Sequence, residues 1–80
     1  MKKEEFLRLH AECLTAMRAF FVEADVTIKM LAKCSAEPLP FDDRMHLLSQ
    51  EVIENDAYET YLSTKLLLHD AARLGYEFTK

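Results

Sequence analysis

Glu37-Pro38-Leu39-Pro40-Phe41 is the stretch that decides the fold of this chain. A proline pushes the residue before it out of the α region and cannot donate to a helical hydrogen-bond ladder. Two prolines one residue apart therefore force the chain to change direction. On either side nothing requires a break, since no glycine or proline falls between Lys2 and Glu37 or between Asp43 and Leu74. Asp42 or Asp43 can cap the helix that follows, and acidic groups suit its positive end. The sole glycine, Gly75, fits the left-handed position just past a helix, with Tyr76 placed to fold back on Ala71. The expectation is an all-α protein, a long antiparallel helical hairpin with helices over about residues 3–36 and 43–74.

Working outward from the turn, both arms carry heptad patterning. In the first, Leu7, Leu14, Phe21 and Ile28 recur every seven residues, with His10, Met17, Ala24 and Leu31 interleaved three further on. That pattern predicts the seam against the second helix. Glu4 with Arg8 and Asp25 with Lys29 are opposite charges one turn apart that support the same helix. In the second arm the corresponding stripe is Met45, Leu48, Val52, Asn55, Leu62, Leu66, His69 and Arg73. Asp56-Ala57-Tyr58-Glu59 reads as a capping box, so an alternative three-helix arrangement has a break near Asn55-Asp56.

The apolar content exceeds what one hairpin seam can hide. Half of the 80 residues are hydrophobic, and a domain of this size buries only roughly 60–65% of its unfolded surface. Phe20, Phe21 and Val22 are consecutive and sweep about 200° of the first helix, and Leu66, Leu67 and Leu68 do the same in the second. A further flank of Ile53, Ala57, Tyr61, Leu68 and Ala71 lies beside the main stripe. Monomers rarely leave such patches in water, and each buried Leu or Phe contributes roughly 1.5–3 kcal/mol. The expected interface residues are Phe20, Phe21, Val22, Ile53, Ala57, Tyr61, Leu67 and Leu68. The expected assembly is a homodimer of hairpins forming a four-helix bundle, with docking onto another protein's helices as the other route to cover.

Charge and composition exclude several partners. Fourteen acidic and ten basic residues give a net charge of -4, which argues against nucleic acid and anionic membrane. No apolar run approaches the roughly 18 residues of a membrane span, and no signal-peptide core follows the charged start Met1-Lys2-Lys3-Glu4-Glu5. Cys13 and Cys34 lie about 31 Å apart along a continuous helix. A disulfide needs Cα atoms within about 7 Å, so the expectation is two reduced thiols in a cytoplasmic protein.

Candidate chemistry is sparse. His10 and His69 should sit at matching levels of the hairpin, with Cys13 one turn from His10. Imidazole and thiolate are zinc ligands, so this end carries the alternative reading of a small ligand- or metal-binding bundle. The spacing matches no ligand motif, and Asp43-x-x-His46 is weaker still. Asn55 and Glu59 could line a ligand pocket with Tyr58 and Tyr61, or fix the helical register as a lone buried Asn does in coiled coils. Glu51, Glu54, Asp56 and Glu59 read as a solvated acidic face. No nucleophile or oxyanion donor accompanies these carboxylates, and one glycine cannot supply a phosphate-cradling loop. No cofactor and no catalysis are expected, which leaves a helical protein-interaction module. The tail Ala72-Arg73-Leu74-Gly75-Tyr76-Glu77-Phe78-Thr79 resembles the end of the leader domain of nitrogen-fixation-associated leader peptides. A helix stop followed by an aromatic clasp accounts for those eight residues, and the small-residue cleavage site of such precursors is missing.

Overall fold

The computed structural model describes residues 2–33, 38 and 40–74. Two helices make up the fold, α1 over Lys3–Ala32 and α2 over Phe41–Arg73. The expected extension of the first helix to residue 36, and the Gly75–Tyr76 stop, lie outside the described residues. α2 starts two residues earlier than the sequence suggests. Its cap is Pro40, in extended geometry at φ -56° and ψ 158°, and the Arg44 N–H donates to the Pro40 carbonyl at 3.0 Å. A proline suits this place because its fixed φ is compatible with helix entry and its missing N–H would have had no partner there. Asp42 and Asp43, expected as caps, instead occupy the first turn, while Arg73 closes the last. Both signs complement the helix dipole.

α2 runs unbroken through Asn55-Asp56 for 33 residues, so the three-helix alternative is not adopted. The Thr60 hydroxyl donates to the Asp56 carbonyl at 3.0 Å, a bond back to the preceding turn that keeps the would-be capping box inside the helix. Without proline or glycine nearby, nothing in the backbone compels a kink.

The helices pack on one another in antiparallel fashion. Gln50 bonds Glu23 and Phe20 meets Tyr58 and Tyr61, so numbers fall along α1 as they rise along α2. The result is a rod of 62 × 15 × 14 Å with a radius of gyration of 17.9 Å, against about 12 Å for a compact 80-residue domain.

The seam lies elsewhere on both helices than the largest apolar side chains suggest. On α1 the covered positions are Phe6, Leu9, Cys13, Ala16, Phe20, Glu23, Thr27 and Met30. On α2 they are Leu47, Gln50, Glu54, Ala57, Tyr61, Thr64, Leu68 and Ala71. Both sets alternate intervals of three and four, the spacing of a coiled-coil seam. On α1 this is one residue away from the expected stripe, a rotation of about 100°. On α2 the seam follows the Ala57, Tyr61, Leu68 and Ala71 flank, and the whole expected stripe from Met45 to Arg73 is exposed. The physical reason is fit: Cys13, Ala16, Ala57 and Ala71 are small and let two helices approach closely, leaving room for one aromatic cluster. Large side chains in those places would hold the helices apart. No large side chain among the described residues is fully buried.

Candidate functional site

With the seam shared between Phe6, Leu9, Phe20 and Met30 and small or polar groups such as Cys13, Ala16, Glu23 and Thr27, the other large side chains of α1 are left more open. Leu7, Phe21, Ile28 and Leu31 are 51%, 55%, 67% and 45% exposed, and Leu14, Met17 and Ala24 between them are half-buried. They form one continuous stripe along the helix. In an antiparallel pair, the residues just after the seam positions lie on the same side of both helices. This follows from the two-fold relation between the helices. The stripe therefore shares its face with Phe41, Leu48, Tyr58 and Leu62 of α2, all exposed. The ring contacts agree: Phe21 lies 5.9 Å from Phe20, and Phe20 lies 5.2 Å from Tyr58. Tyr61 stacks on Phe20 at 6.1 Å and 6°. Lys65 and Arg44 place their cations 5.8 and 5.9 Å from the Tyr61 and Phe41 rings, so the α2 part of the face alternates apolar with charged groups.

Of the residues expected at an interface, Phe20, Ala57, Tyr61 and Leu68 lie in the seam of the hairpin itself. Phe21, Val22, Ile53 and Leu67 are exposed. Phe21 belongs to the stripe, whereas Val22, Ile53 and Leu67 point away from its centre by their helical phase. His10 and His69 are exposed and Cys13 is buried in the seam. Among the described residues no group of three or more His, Cys, Asp or Glu side chains is placed to hold a metal. Cys34 lies outside the described residues. Asp43 and His46 line a small depression with Met30, Lys33 and Leu47 at the turn end.

Register is fixed by residues that sequence reasoning passed over. Asn55 and Glu59, expected in that role, are exposed. Gln50 takes it instead: its amide donates to the Glu23 carbonyl at 3.2 Å and to Glu23 Oε1 at 3.1 Å. The Thr27 hydroxyl donates to the same carbonyl at 3.0 Å. No buried side-chain polar atom among the described residues lacks a partner. The clue was available in the heptad spacing of Gln50 with Leu47, Ala57 and Tyr61. Of the acidic face, Glu51, Asp56 and Glu59 are exposed, and Glu54 is half-buried in the seam. Arg8 pairs with Glu12 at 3.9 Å rather than with the expected Glu4, and Lys29 pairs with Asp25 at 2.8 Å.

On the opposite flank, a shallow groove of about 560 Å³ is lined by Ala11, Thr15, Ala16, Ala19, Thr60 and Thr64, with Arg8 and Glu12 at its edge. The residues proposed for ligand binding from the sequence do not line it. Among the described residues no helix is long and apolar enough to cross a membrane. Comparison of the chain with protein-family models, with curated proteins and with solved structures gives no match in any of the three.

Proposed function

We propose that this chain is a non-catalytic helical interaction module whose working surface is the outer stripe of α1 together with the adjoining side of α2. The observation that carries this reading is the inversion of the hairpin. The most deeply buried residues are the small or polar Cys13, Ala16, Thr27, Gln50 and Ala71, while Leu7, Phe21, Ile28 and Leu31 are left in water. Sixteen large hydrophobic side chains are exposed among the described residues, and a contiguous set on one face is the usual mark of a protein contact. The face is helical and ridged, so the partner surface it fits is another helical one, either a second copy or another protein. The net charge of -4 supports a protein rather than a nucleic acid as the occupant. The alternative of a ligand- or metal-binding bundle has no comparable support, because His10, Cys13 and His69 are not brought together as a group among the described residues.

Hydroxyl-radical footprinting tests the reading. Phe21 and Ile28 should be protected in living cells that express the chain and reactive in the dilute purified chain. Full reactivity in both settings would mean that nothing covers the face, and the proposal would fall.

A further inference from the structure

Resting on that reading, we propose that the occupant is a second copy of this chain. The copy is bound about a two-fold axis with its α1 antiparallel to this α1, so that two hairpins close into a four-helix bundle. Area is the first support. A compact protein of 9.3 kDa exposes about 5,000 Å², and this chain exposes 6240 Å². The excess, roughly 1,200 Å², comes with the rod shape and is large enough to accommodate the ~800 Å² per partner that a standard stable interface buries. Angle is the second. The stripe lies about 100° round α1 from the seam, close to the right angle between the two neighbours of a helix in a four-helix bundle.

Self-complementarity is the third support, and it selects the second copy over an unrelated helix. The stripe alternates intervals of three and four from Leu7 to Leu31, so, like any heptad stripe, it maps onto itself on reversal, and the selection rests on the side chains that then meet. In the antiparallel pair Leu7 faces Leu31 of the second copy, Leu14 faces Ala24, Met17 faces Phe21, and His10 faces Ile28. The bulky Leu14 and Phe21 thus meet the small Ala24 and the adaptable Met17, while the polar His10 falls at the ends. On α2 the same face carries Arg44, Glu51, Asn55, Lys65 and His69 beside Phe41, Leu48, Tyr58 and Leu62, so the α1 pair supplies the apolar contact and the α2 pair closes the bundle through a mixed, more polar layer.

The test uses the full chain. Sedimentation at micromolar concentration should give twice 9.3 kDa, with a melting temperature that rises with protein concentration. Phe21→Glu and Met17→Lys should each weaken the dimer roughly 30-fold or more, the size of a hot-spot loss. Mixing the two variants should restore a dimer, because the new carboxylate and ammonium then face each other. Val26→Glu, five positions and about 140° from Phe21, should leave the dimer intact. Rescue on mixing also separates a lost contact from a chain that fails to fold. A wild-type monomer whose face is nonetheless protected in cells would overturn the second copy and leave the docking reading standing. A dimer that survives Phe21→Glu, or two monomeric variants that do not rescue each other, would overturn this pairing.

Discussion

Two parallel stripes run the length of α1, one residue apart, and they differ in how much of each is large and apolar. The inner one, from Phe6 to Met30, mixes alanine, cysteine, threonine and glutamate with two phenylalanines, Leu9 and Met30. The outer one, from Leu7 to Leu31, has leucine, phenylalanine, isoleucine or methionine at every position but His10 and Ala24. By transfer free energy alone the outer stripe should be the one buried. The chain instead closes on the stripe that permits close approach and a hydrogen-bonded lock, and it leaves the more hydrophobic stripe for a contact outside itself. Hydrophobicity ranks how much a surface gains by leaving water, whereas shape and polar pairing decide which surface each helix meets first.

Neighbouring phenylalanines give the largest test of this division. Phe20→Ala removes the ring that Tyr58 and Tyr61 pack against and should cost about 2 kcal/mol, below the range for a fully buried ring because Phe20 is half-buried. That cost belongs to the hairpin and should appear in urea unfolding at every protein concentration. Phe21→Ala, one residue on, should act chiefly through association, so its effect on the unfolding midpoint should shrink as the protein is diluted. Equal, concentration-independent losses at both positions would erase the distinction between the stripes.

Ala16→Leu comes next. Were the seam the stripe of large side chains, an added leucine at residue 16 would be a harmless surface change. Ala16 is 8% exposed and sits in the inner seam, so overpacking should cost about 1–3 kcal/mol, read as a fall in melting temperature. Gln50→Leu should have a smaller effect on stability, within about 1 kcal/mol, since one neutral amide exchanges its bonds for apolar contact. It should loosen the register, because the link from Gln50 to Glu23 is lost. The readout is the amide spectrum, in which the variant should show more than one set of resonances. A single sharp set would mean that the aromatic cluster alone fixes the alignment.

The sequence made the architecture readable and hid the phase. Pro38 and Pro40 mark the change of direction, and the helices come out at Lys3–Ala32 and Phe41–Arg73, close to where periodicity puts them. Phase was lost because adjacent stripes share the seven-residue period, so counting apolar matches favours whichever stripe holds the bulkier residues. Ala57, Tyr61, Leu68 and Ala71 were visible as a flank, yet their role as the α2 seam depends on what α1 presents to them. Gln50 was passed over because a polar residue reads as solvent-facing until its partner is known. The outer surface is legible as excess apolar content, but the sequence puts Phe21 in the hairpin seam, where the structure has Phe20, and does not separate these neighbours.

The smallest expected effect lies on the face that belongs to neither stripe. Lys29 and Asp25 pair at 2.8 Å in the open, and the hydrogen bond and charge of Asp25 raise the Lys29 pKa above its ordinary 10.5. A cation whose pKa is raised by folding contributes its stability fully below the unfolded value and loses it as pH rises through the folded one. Nothing from this pair should therefore change between neutral pH and about pH 10. Both groups are well exposed and solvent screens them, so Lys29→Gln should unfold within error of the parent over that range. At higher pH the parent should lose a small increment that the variant never had. A difference in slope already present near neutral pH would show that Lys29 answers to a group other than Asp25.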